Sequence, residues 1–178
     1  MRMIYGVAYA FWLLFLSSAT VAPAQTFTTP PFGYTLFCAK YKTNCASSGP
    51  ASIAQTAKLM ADLKLINARV NAAITPTPDA YESWDLYPKL GDCDDFVMTK
   101  RDVLIKMGYP VSAFRLYVVE TGSRELHLVL VVSTDKGDLV LDNLKQTIVP
   151  LQASGYTLVK HSTENPNVWV VDKGYTST

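Results

Sequence analysis

Cys93 stands in the run Gly91-Asp92-Cys93-Asp94-Asp95-Phe96, a thiol among three carboxylates at the expected start of a helix. The chain has three cysteines and two histidines, so few groups can do thiol chemistry. A thiol attacks as its thiolate, and a free pKa near ~8.5 must fall for useful reactivity at neutral pH. A helix N-terminus favours the anion, and so does a neighbouring imidazolium. Cys93 is positioned for the first, and His127 can supply the second. The imidazole then needs an acceptor to hold its tautomer and orientation. Asp142, on the strand expected after the one carrying His127, is the best placed. This set does acyl transfer at an amide carbonyl. The backbone N–H of Cys93 is the expected oxyanion donor, with a side chain of the Trp84–Tyr87 segment, Trp84 or Tyr87, as a second.

Taken singly, each of these residues has an ordinary structural reading. A helical cysteine is often a small buried hydrophobe, and an Asp-Asn pair such as Asp142-Asn143 often ends a strand. Their joint order is more specific: Cys at a helix start, then His and Asp on successive strands. The flanking acids oppose the chemistry, because Asp92, Asp94 and Asp95 repel a thiolate and raise its pKa. Two remedies are open from the residues. Either Asp92 caps the helix with Asp95 facing solvent, or the acids hold a hard cation such as calcium.

The elements that must position these groups fall in two halves. Apolar residues from Ile53 to Val70 recur at helical spacing, predicting a helix over 51–74 that ends at Pro76 and Pro78. A loop over 75–91 carries Tyr81, Trp84 and Tyr87. Asp92 caps a second helix from Cys93 to Met107, with Phe96, Val97, Val103, Leu104 and Met107 as its buried stripe and Gly108 at its end. The second half turns to short runs rich in Val, Leu and Tyr: 114–120, 126–133, 139–144, 157–160 and 168–172. Helices followed by an antiparallel meander predict an α+β domain. Register decides whether the base meets its partner. A turn at Lys136-Gly137 pairs Asp142 with Val131, about 13 Å from His127 at ~3.3 Å per residue. A turn centred on Thr134-Asp135 sets Asp142 opposite His127, and a bulge or diagonal contact also closes the gap.

The N-terminus reads as a targeting segment. Arg2 precedes an apolar run from Ile4 to Leu16, and Ala22-Pro23-Ala24 forms a small-x-small cleavage pattern. Residues 1–24 are thus an expected signal peptide and 25–178 one domain. Beyond Arg2, basic and acidic residues balance at 15 each (16 − 1 against 15), which leaves no basic patch for nucleic acid. No second stretch is long enough to span a membrane. In an oxidising compartment Cys38 and Cys45 close a small loop, leaving Cys93 as the odd thiol. Residues 25–50 read as an irregular arm, and His161, in a polar run, as surface.

Three blocks carry a family resemblance: Gly91 to Phe96, His127-Leu128-Val129-Leu130, and Val140-Leu141-Asp142-Asn143. With the Phe37-Cys38 to Cys45 stretch, the Trp84–Tyr87 segment and Asn167 to Val170, they resemble the bacterial transglutaminase-like cysteine proteinases. The resemblance implies a papain-like fold with Cys93 as nucleophile, His127 as general base and acid, and Asp142 as orienting residue. It also implies calcium held by the acids at the nucleophile, where this chain has Asp94 in place of a glutamate. Its best understood type is a periplasmic protease that clips a cell-surface adhesin and is restrained by an inner-membrane receptor. A crosslinking transglutaminase with the same triad, or a non-catalytic module, stays open at this level.

Overall fold

The computed structural model describes residues 25–79 and 81–172, so the expected signal peptide lies outside the described residues. Three helices, α1 (Phe32–Lys40), α2 (Ala57–Ala73) and α3 (Cys93–Lys106), precede most of the strands. A seven-stranded antiparallel sheet follows from β1 (Thr26–Thr28), β4 (Phe114–Glu120), β5 (Leu126–Thr134), β6 (Gly137–Leu141), β7 (Val149–Pro150), β8 (Thr157–Ser162) and β9 (Trp169–Val171). Its order is β1-β9-β8-β4-β5-β6-β7. A small parallel pair, β2 (Thr75–Pro76) with β3 (Leu90–Gly91), leads into α3. The architecture is the expected α+β arrangement. Among the described residues, no helix is long and apolar enough to cross a membrane.

Strand alternation divides the core in two. Leu116, Leu128, Leu130, Val132, Leu139 and Leu141 face the helices and join Phe96, Val97 and Leu104 of α3 in the main cluster. Tyr117, Val119, Val129, Val131 and Val140 face the other way and pack with Leu151, Tyr156 and Leu158. The sheet is therefore buried on both faces around β5, where every residue from His127 to Thr134 is buried.

Several boundaries differ from expectation for local reasons. α2 starts at Ala57 because Thr56 caps it, its side chain accepting the Leu59 N–H. The stretch over 25–50 is not an irregular arm: it holds β1, which closes the sheet edge on β9, and α1. A disulfide between Cys38 and Cys45 ties the end of α1 to the next turn. Buried Tyr34 of α1 packs against Trp84 and Trp169 and stacks on buried Phe37, the aromatic contacts that hold the helix. α3 runs as expected, but Met107 is largely exposed, while Thr99, Lys100, Arg101 and Asp102 are buried. This helix is enclosed on most sides, with α2 against it as well as the sheet. His161 is not a surface residue, since it pairs with Asp172 at 2.9 Å and stacks on Tyr117 at 4.4 Å.

Candidate active site

The β5–β6 hairpin takes a register between the two expected ones. Thr134 pairs with Gly137, leaving Asp135-Lys136 as a two-residue turn, and Leu130 pairs with Leu141. Gly137 has φ +116, a backbone state that suits glycine. Continued by one residue, this register sets Asp142 beside Val129, diagonal to His127 on the same face. Diagonal neighbours lie within reach of long side chains, and His127 Nε2 lies 2.8 Å from Asp142 Oδ1. Both side chains are buried.

Asp142 is held from several directions. Its Oδ1 also accepts the Leu144 N–H at 3.0 Å, and its Oδ2 accepts the Tyr156 hydroxyl. Burial alone would raise the pKa of this carboxyl; bonds from His127, Tyr156 and Leu144 outweigh it and hold the group below the usual range. The loop that carries it is tied to α2. Asn71 donates to the Asp142 carbonyl at 2.9 Å, and Asn67 donates to the carbonyls of Lys145 and Gln146.

Cys93 begins α3, and Asp92 caps the helix by accepting the Asp94 N–H at 3.3 Å. A cavity of about 330 Å³ is lined by both Cys93 and His127, together with Trp84, Asp92, Asp94 and Leu126. Burial pushes the thiol up to about 12; the charges of Asp92 and Asp94 add to the rise and the Leu128 backbone N–H opposes it. Asp94 is buried and, by burial first and the neighbouring Asp92 next, is pushed up to about 10. One of its oxygens, Oδ1, has no hydrogen-bond partner.

The remaining sequence-derived candidates separate. Ligand atoms of Asp92, Cys93 and Asp94 lie within 4.8 Å of one another. Asp95 turns away from them and is buried rather than facing solvent: its Oδ1 accepts the Asp85 N–H at 2.7 Å, and its carboxylate packs on Gly91. Trp84 lines the cavity, but its indole N–H donates to Glu82 at 3.3 Å. Tyr87 does not join the site, because its hydroxyl donates to Asp102 on the far flank of the loop.

Two groups beside the site escaped the sequence reading. Tyr156 had no local signal beyond the turn marked by Gly155. Lys100 had one: it follows Phe96 by four residues and precedes Val103 by three, inside the apolar stripe. It is fully buried with its Nζ unpaired, and burial lowers its pKa to about 7, against a smaller opposing pull from Asp142.

A solved structure of LapG from Legionella pneumophila in calcium-bound form is similar to this chain, at 21% identity and TM-score 0.55, covering 67% of this chain and 72% of that one. A second LapG structure from that organism shows 23% identity and TM-score 0.54, covering 63% and 67%. An EGTA-treated LapG shows 21% identity and TM-score 0.54, covering 66% and 70%. At such identities the likeness establishes the shared fold. No curated protein matches the chain. The model of the bacterial transglutaminase-like cysteine proteinases matches residues 24–175, nearly the whole length, and the chain belongs to that family.

Proposed function

We propose that this exported cysteine peptidase cleaves an amide bond of a protein substrate, with Cys93 as nucleophile, His127 as base and acid, and Asp142 as the orienting group. The observation that carries the reading is the His127–Asp142 contact of 2.8 Å, with His127 lining a cavity that Cys93 also lines. An ionised Asp142 accepts the Nε2–H, which leaves the Nδ1 lone pair to take the thiol proton. The sulfur adds to the carbonyl carbon, and the oxyanion develops at the N-terminus of α3, where the Cys93 backbone N–H is the donor. His127 then gives its proton to the leaving amine. Water adds to the thioester, its proton passes through His127, and the thiol is restored.

The acids at the nucleophile suit a hard cation, and a LapG structure similar to this chain is calcium-bound. Asp94 offers a buried oxygen with no partner, and Asp92 faces it across the cluster. These two carboxylates would hold calcium; the Cys93 sulfur is too soft to be its ligand. When bound, the ion supplies positive charge that offsets the acids raising the thiol pKa. Asp95 is left out of this set by its bond to Asp85.

The substrate is a protein, with a cell-surface adhesin as one candidate and an inner-membrane receptor as a candidate regulator. A periplasmic location is supported by the apolar run at 4–16 with Ala22-Pro23-Ala24 after it, and by the Cys38–Cys45 disulfide. The test compares envelope proteins of wild-type and Cys93→Ala cells by N-terminal proteomics. New N-termini confined to the wild type are the expected result. Isopeptide-linked species would assign the triad to crosslinking, and identical proteomes with a folded variant would end the proposal.

A further inference from the structure

We propose that Tyr156 is a positioning residue of the catalytic site, its hydroxyl holding Asp142 and its ring holding the imidazole of His127 in the reactive tautomer and orientation. The inference rests on the Cys93–His127–Asp142 reading and adds a fourth member to it. Asp142 has two carboxylate oxygens and divides them. Oδ1 serves His127 and the Leu144 N–H, while Oδ2 accepts the Tyr156 hydroxyl. With only the first set, the carboxylate could turn about its Cβ–Cγ bond and exchange oxygens. The Tyr156 bond removes that freedom. The same side chain packs its ring against the imidazole, at 5.9 Å between centroids and 58° between planes, and so opposes rotation of His127.

The corner that delivers Tyr156 is built for this placement. A short 3-10 turn, Leu151–Ala153, ends at Ser154, whose Oγ accepts the Tyr156 N–H at 3.3 Å. Gly155 takes φ +77, a left-handed state that a side chain at this position would strain. Lys145 Nζ donates to the Ser154 carbonyl at 2.7 Å and sits 4.3 Å from the Tyr156 ring centroid. β8 then begins at Thr157 beside Glu120 of β4, and Glu120 also pairs with Leu126 at the start of β5. Tyr156 therefore stands at the same end of the sheet as His127. A tyrosine wanted only for packing in this cluster would have no need of the hydroxyl.

The groups facing Asp142 from the packed elements are His127 of β5, Tyr156 ahead of β8 and Lys100 of α3. Loss of the Tyr156 hydroxyl leaves more of the carboxylate charge to His127. Tyr156→Phe keeps the ring and its packing, so it isolates the hydroxyl.

The chain has two histidines, so ¹⁵N-histidine spectra of the full mature protein resolve His127 once a His161→Gln variant assigns the other. The expected wild-type state is the Nε2–H tautomer. In Tyr156→Phe the ring nitrogens should move toward a tautomer average, and iodoacetamide labelling of Cys93 should slow by about tenfold across neutral pH. The change of tautomer is the readout that a merely structural role would not produce. A Phe variant with wild-type tautomer and labelling profile overturns the proposal, as does an Nδ1–H tautomer in the wild-type protein should the variant not fold. The triad fails separately: unchanged labelling in His127→Ala removes the triad itself, whatever Tyr156 does.

Discussion

Asp94 is the residue on which the charge balance of the site turns. It is buried beside a thiol, it lies next to Asp92, and one oxygen lacks a partner. A carboxylate so enclosed is stable only when protonated or paired with a cation. Calcium should therefore raise the melting temperature of the wild-type chain, and EGTA should reverse the gain. Asp94→Asn keeps the shape while discarding the charge. We expect this variant to be at least as stable as wild type without calcium and to lose the calcium-dependent rise. An equal rise in both proteins, measured by thermal denaturation, would place the cation elsewhere. The side chains of the proposed triad were readable from type and order, because nucleophile, base and acceptor each demand one kind of group. Tyr156 was not readable, since a tyrosine after a glycine turn has no chemistry until the fold sets an acid against it.

At the scale of elements, the short β3 strand and the start of α3 act together. Asp95 accepts the Asp85 N–H and so anchors the loop that carries Trp84 into the cavity wall. That anchorage needs Gly91, where a Cβ would come within 2.2 Å of Asp95 Oδ2. Gly91→Ala should cost about 1–3 kcal/mol through the forced displacement. A denaturation midpoint equal to wild type would show that Asp95 can give way freely. The helix start was legible from Asp92 as cap and Gly108 as stop, and α3 ends within a residue of expectation. The β5–β6 register was not. Both candidate turns fit the residue types, and the observed one, through Asp135-Lys136, lies between them. Side-chain parity is the same in all three registers, so burial of one face could not choose among them.

For the whole molecule, the uncommon feature is a lysine in the core. Lys100 is fully buried on α3 and lies close enough to Asp142 to sense its charge. Its folded pKa, about 7, is well below the ordinary 10.5. Between these values the native state holds fewer protons than the unfolded chain, so stability should rise with pH over this window. Lys100→Met should flatten that rise and stabilise the protein by about 1–3 kcal/mol near neutral pH. Urea titrations at several pH values check this, and an unchanged slope would mean that Lys100 is solvated. A buried lysine beside the acid of the proposed triad suits a site kept for function at some expense of stability.

Sequence alone determined the class of chemistry, the α+β order of elements and the disulfide, because each follows from residue type or from periodicity along the chain. It also marked Asp92 as a cap and the acids as a burden on the thiol. Only the tertiary structure decided which of those acids share one pocket, that His127 meets Asp142 on a diagonal, and that the Tyr156 hydroxyl bonds Asp142. These are facts about distances between segments far apart in sequence. They depend on strand register, on the enclosure of α3 between α2 and the sheet, and on the glycine corner at 155, none of which residue types alone can measure.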